Sequence, residues 1–153
     1  MTRPKIAVLV TLATVTVSTI AYAQTLPPAV KARQGQMQIQ AFATSVLGGM
    51  AKGETEYDAA MAEAAATDLV ATGMMSIDLH WPEGTSSEDV EGTRALPAIW
   101  TDRAGFEAKW EAFDAAAAGM QDAAGGGLEG LQAAMGTLGQ SCGGCHDDYR
   151  QPR

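Results

Sequence analysis

Apolar positions in the second half of the chain recur at steps of three and four. Phe106, Trp110, Phe113, Ala117, Met120 and Ala124 form one such series, and Leu128, Leu131, Met135, Leu138, Cys142, Cys145 and Tyr149 form another. That rhythm lays side chains along one stripe of an α-helix. The run Gly125-Gly126-Gly127 separates the two stripes. Two earlier blocks also read as helices. The first opens at Pro27-Pro28, a pair suited to a first helical turn, and runs to about Lys52, where Gly53 stops it. The second is expected to begin at Thr55, with Asp58 completing a pair like a capping box, and to continue through an Ala-rich body to about Asp78. Between His80 and Leu96 the turn residues Pro82, Gly84, Ser86, Ser87 and Gly92 predict a loop, and the third long helix is expected to start near Asp102. Period-two alternation and β-branched enrichment are scarce after the first two dozen residues, so strands are not expected. Four helices with mostly short connections predict an all-α, antiparallel four-helix bundle.

The start of the chain follows a different pattern. Arg3 and Lys5 precede an uncharged apolar run from Ile6 to Ile20, and Ala21 and Ala23 flank Tyr22 just before Gln24. A basic start, a short apolar centre and an A-x-A site read as an export signal. The run is shorter than the roughly 20 residues that span a bilayer. Residues 1–23 are therefore expected to be removed, leaving 24–153 as one exported, soluble domain. Removing Arg3 and Lys5 makes the mature chain still more acidic than the −8 of the whole. An acidic chain with a pI near 4.6 does not suit nucleic acid, which is bound by displacing counterions with basic side chains.

Composition raises one question. The chain holds 29 Ala and 17 Gly but only 3 Phe, 3 Trp and 3 Tyr. So few bulky side chains leave a bundle to close tightly or to fill its middle with something else.

The fourth helix offers an answer in Cys142-Gly143-Gly144-Cys145-His146. C-x-x-C-H is the signature of covalent haem attachment. Two thiols add across the two vinyl groups of one porphyrin edge, and the adjacent imidazole reaches the iron as axial ligand. Positions three apart share a helix face, here the face directed into the bundle. Cys142, Cys145 and His146 are therefore the expected attachment and iron-binding residues of one haem c. A C-x-x-C pair also serves in thiol–disulfide exchange, but that motif normally opens a helix in a βαβ setting, which this chain lacks. A structural zinc site would need two further ligands at suitable spacing.

Taken together, these segments resemble the class II c-type cytochromes, the cytochrome c′ family, which carry C-x-x-C-H near the C-terminus of a four-helix bundle. Ser141 to Arg150, SCGGCHDDYR, is similar to the family's terminal motif, and Arg33-Gln34-Gly35-Gln36-Met37 resembles its R-Q-x-x-M segment. Trp81-Pro82-Glu83-Gly84-Thr85 and Leu96-Pro97-Ala98-Ile99-Trp100 resemble the loop between its second and third helices. The resemblance implies that Arg33 and Arg150 lie near the haem propionates and the proximal pocket, where an arginine fork suits a carboxylate. It places Met37 opposite His146, either as a sixth ligand or as a filler above an open iron. It also implies a homodimer formed through the first two helices. One departure stands out: many members have a Lys after the first cysteine, whereas this chain has Gly143 and Gly144, which leaves that surface less basic. His80, at a helix-to-loop junction, is expected at the surface rather than on iron.

Two functions follow from the resemblance. One is one-electron transfer with redox proteins of the periplasm. The other is capture of nitric oxide or carbon monoxide at a five-coordinate iron, the arrangement favoured over a six-coordinate Met/His carrier. A thiol–disulfide oxidoreductase built on Cys142 and Cys145 is a distant third. No triad, carboxylate pair or phosphate loop suggests enzymatic turnover.

Overall fold

The computed structural model describes residues 26–152, so the expected export segment and its cleavage point lie outside the described residues. Six helices occur in chain order: α1 Pro28–Ala51, α2 Ala59–Gly73, α3 Ile77–His80, α4 Ala98–Thr101, α5 Arg103–Ala124 and α6 Leu128–Tyr149. The four long ones form the expected bundle: α1 packs on α2, α2 on α5 and α5 on α6, while α1 meets α6 only sparingly. Among the described residues the only β pairing is an isolated antiparallel bridge between Ala95 and Arg150.

The boundaries differ from expectation in three places. Asp58, not Thr55, caps α2: its backbone is extended and its carboxylate accepts from Met61 N at 2.9 Å. The helix then ends at Gly73 rather than near Asp78. Asp114 and Phe113 crowd Gly73, and its carbonyl accepts from Trp110 Nε1 at 2.9 Å. Ser76 restarts the chain as the single turn α3 by accepting from Leu79 N. A second single turn, α4, precedes Asp102, whose carboxylate caps α5 by accepting from Gly105 N. Gly127, at φ 121°, joins α5 to α6 through a backbone that a side chain would disfavour.

The interior is divided. One cluster is built from Ala62, Ala65, Ala66 and Ala117 with Leu47, Leu69, Met120, Leu131 and Leu138, where small side chains let the helices close. At the other end Trp81, Phe106, Trp110 and Tyr149 form a second cluster with Ile99 and Ala95. Its rings meet mostly edge to face, with centroids 5.0 Å apart for Trp81 and Phe106 and 5.4 Å for Phe106 and Tyr149, a favourable arrangement for aromatic quadrupoles. The predicted stripe of α5 is buried throughout. That of α6 holds at Leu131, Leu138 and Tyr149, but Leu128 is partly exposed at the helix start.

Candidate haem site

Cys142 and Cys145 lie on α6 at the boundary between the two clusters. Cys142 packs against the alanine-rich cluster, Cys145 against the aromatic one. Both thiols are free and half-buried. Burial pushes each thiol pKa up, and for Cys145 the charge of Lys109 works in the opposite direction. A redox cysteine of the exchange type has a depressed pKa, usually at a helix N-terminus. These two sit near a C-terminus and stay protonated, which disfavours the oxidoreductase reading and suits thiols that add to vinyl groups.

His146 follows directly. Burial lowers its pKa, and the positive charges of Arg150 and Arg94 lower it further against the opposing Asp147. The imidazole is therefore neutral at physiological pH, as an iron ligand must be. An open cleft of about 380 Å³ beside it is lined by Arg94, His146, Asp147, Arg150, Gln151 and Pro152. Arg150 is exposed at the end of α6, and its N–H donates to His146 O at 3.2 Å. Arg94 grips the same terminus by donating to the carbonyl of Gln151.

Arg33 is buried, and its fork is closed on the loop. Its Nη1 donates to Thr85 Oγ1 at 2.7 Å and its Nη2 to Thr85 O at 2.5 Å and Thr93 Oγ1 at 3.0 Å, with a longer contact from Nη1 to His80 O. The guanidinium stacks 4.7 Å from the Trp81 ring and 5.9 Å from that of Trp100. Burial lowers its pKa from 12.5 to about 10, so it remains charged at neutral pH. Its hydrogen bonds thus fix the loop between α3 and α4 rather than present an open fork, and the faces of the Trp81 and Trp100 rings attract its charge. His80, expected at the surface, is half-buried, and its Nδ1 is covered and without a hydrogen bond.

Met37 stands one turn after Arg33, half-buried, and packs against the cluster that Cys145 also borders. The first helix and the C-x-x-C-H turn therefore face a common region. Trp81 Nε1 is buried there without an acceptor, although the ring is held in the aromatic cluster. A buried indole N–H is seldom left unpaired. A group with a carboxylate margin and a large apolar face fits this set: an unpaired donor, two aligned thiols, a neutral imidazole and an aromatic wall.

A family model for cytochrome c′ matches residues 28–150. The chain belongs to the cytochrome c′ family. It is 49% identical over 125 residues to cytochrome c′ of Cereibacter sphaeroides, covering 81% of this chain and 83% of that one. A solved cytochrome c′ from Rhodobacter sphaeroides superposes with a TM-score of 0.79 at 46% identity, over 82% of this chain and 96% of the other. A nitric oxide complex of a mutant cytochrome c prime from Alcaligenes xylosoxidans superposes with a TM-score of 0.71 at 34% identity, covering 82% and 94%. This cytochrome c′ family member is an electron-transfer haem protein whose cofactor is covalently bound haem c. Among its described residues no helix is long and apolar enough to cross a membrane.

Several contributors escaped the sequence reading. Thr85 and Thr93, both in the loop between α3 and α4, complete the Arg33 clamp. Lys109 is the clearest case. Its Nζ pairs with Asp148 at 2.9 Å and lies 3.6 Å from where a Cβ on Gly144 would stand. A cation from α5 therefore reaches the turn that lacks the usual Lys, with its charge already paired to Asp148. Its position just before the buried Trp110 was the available signal, since it flanks the inward stripe of α5.

Proposed function

We propose that the chain is an exported, periplasmic one-electron carrier in which Cys142 and Cys145 hold the haem, His146 ligates the iron, and Met37 covers an open distal face that admits nitric oxide or carbon monoxide. The observation that carries the open-face reading is the packing of Met37 against the Trp81–Phe106 cluster, where its thioether serves as an apolar filler. The nitric oxide complex of the Alcaligenes relative supports the same reading.

When bound, the haem supplies a one-electron iron couple and an iron face for a small diatomic. The protein's own residues supply the setting. The two thiols fix the porphyrin edge, and the cationic surroundings of His146 hold its imidazole unprotonated. Trp81 Nε1, a donor that still needs an acceptor, and the exposed Arg150 beside His146 suit the propionates, while Arg33 stays committed to the loop. The aromatic wall keeps water from the ring, which favours small apolar ligands.

The first two helices also expose Ile39, Phe42 and Met61, with Phe42 67% exposed. Beside Met61 an open cleft of about 590 Å³ lies between α1 and the start of α2, lined in part by Val46, Met50 and Tyr57. This apolar surface supports a homodimer through α1 and α2, which size-exclusion chromatography at micromolar concentration tests.

The coordination reading is tested by ferric absorption and carbon monoxide titration of the parent and of Met37→Ala. A high-spin parent that binds carbon monoxide, with a variant that binds it faster, fits the open face. A low-spin parent that turns high-spin in Met37→Ala overturns it and makes Met37 the sixth ligand.

A further inference from the structure

Three large apolar side chains stand in water where α2 gives way to α3. Met74 is 81% exposed, Leu79 is 74% exposed, and Met75 is open as well. One exposed Leu needs no explanation, but three such residues at one corner form a patch. Local structure holds them there. Met74 closes α2, and Ser76 restarts the chain by accepting from Leu79 N. The same turn sends Ile77 inward, against the cluster of Trp81, Phe106 and Trp110 that Met37 and Cys145 also border. The patch therefore lies about one helix thickness, roughly 10 Å, outside that cluster. It is separate from the α1–α2 face assigned above to the dimer: Met61 and Met74 stand at opposite ends of α2, about 20 Å apart along its axis and about 140° around it.

The rim of the patch is acidic. Asp78 of α3 pairs with Arg103 at 2.7 Å, and Arg103 is shared with Glu107 at 2.6 Å. Asp114 Oδ1 occupies the space where a Cβ on Gly73 would stand, next to Met74. Burial pushes the Asp114 carboxyl pKa up, and the charge of Glu111 adds to the shift. Arg103, Glu107, Glu111 and Asp114 follow one another at steps of four and three, which sets them in one row along α5. Four carboxylates thus surround a single guanidinium at this corner. An apolar centre within a charged rim is the anatomy of a protein interface. Weak redox encounters bury less than about 1,200 Å² in total, a scale that three side chains and their rim can serve.

We propose that Met74, Met75 and Leu79 are the docking site for a redox protein with a basic face, which the carboxylates of Asp78, Glu107, Glu111 and Asp114 steer into place. This rests on the electron-carrier reading above. One electron crosses between the two proteins, and no bond forms or breaks. The acidic rim selects the sign of the partner and speeds its arrival, an effect that salt screens. The flexible thioethers of Met74 and Met75 suit a contact that forms and releases repeatedly, because they repack at little cost.

The test uses the haem-loaded protein and, as probe, a basic class I cytochrome c. The probe carries zinc in place of iron for titration calorimetry and iron for stopped-flow electron transfer. Three variants are compared with the parent: Met74→Ser with Leu79→Ser, which removes the apolar centre; Glu111→Lys, which reverses an exposed rim charge; and Glu54→Lys, which makes the same charge change at the opposite end of α2. At low salt the double serine variant and Glu111→Lys should each weaken binding about five- to tenfold, and Glu54→Lys by about twofold at most. High salt should weaken the parent's binding as well. Equal losses in Glu111→Lys and Glu54→Lys overturn the proposal by showing that net charge alone attracts the probe. Unchanged binding in the double serine variant overturns it too. The two readings fail separately. Binding of the zinc probe at this corner without electron transfer to the iron probe upholds the docking site and refutes the carrier. Electron transfer as fast in the double serine variant as in the parent refutes the docking site and upholds the carrier.

Discussion

Tyr149 Oη donates a 2.7 Å hydrogen bond to Asp102 Oδ2, joining the last residue of α6 to the cap of α5. Asp102 uses its other oxygen to accept from Gly105 N, so one carboxylate both starts α5 and anchors the turn that carries His146. A Cβ on Gly105 would stand 2.4 Å from Tyr149 Oη and 2.2 Å from Asp102 Oδ2, so this junction requires glycine. Tyr149→Phe should cost about 1 kcal/mol in urea unfolding while leaving haem attachment intact.

The same bond gives a pH signature. The hydrogen bond to Asp102 is the main cause that pushes the phenol pKa up to about 12. A raised folded pKa means the contribution is complete below the unfolded value of about 10 and is lost as pH rises toward 12. The parent should therefore lose stability between those limits by an increment that Tyr149→Phe lacks. Parallel unfolding curves across that range for parent and variant would contradict the assignment.

Arg33 should behave as a structural clamp. Truncation to Ala removes its bonds to Thr85 and Thr93 and leaves buried oxygens unmet, at a cost of about 3 kcal/mol. Arg33→Lys should recover only part of that, because one ammonium cannot reproduce a planar fork between two indoles. Thermal unfolding of the three proteins checks the order. Full recovery by Lys would show that charge, not geometry, is what the loop needs.

His146 predicts a pH effect in the haem-free chain. Its folded pKa lies below the ordinary 6.5, lowered by burial and then by Arg150 and Arg94. The unfolded state then takes up a proton first, so this group's share of stability falls as pH drops through 6.5. His146→Gln should lose less stability than the parent between pH 7 and 5, as followed by circular dichroism.

Much of this was legible in the sequence, for physical reasons. A buried helix stripe must recur at three and four, so the inward residues of α5, from Phe106 to Ala124, were readable in advance. The spacing of Cys142 and Cys145 is dictated by porphyrin chemistry, so it stands out in any chain. Helix ends were harder, because Asp58 and Thr55 are both good caps and the choice depends on which backbone is extended. The Arg33 clamp was hidden for a different reason: Thr85 and Thr93 lie 52 and 60 residues away, and only tertiary packing brings them to the guanidinium. Lys109 reaches Gly144 in the same way, across a helix pair.

The intact mass of the protein purified from cells competent in haem attachment tests the central claim most directly. It should equal the chain beginning at Gln24 plus one haem, and replacing both Cys142 and Cys145 with Ser should abolish the addition. A mass matching the bare polypeptide, or a haem retained covalently by the double variant, would contradict the account.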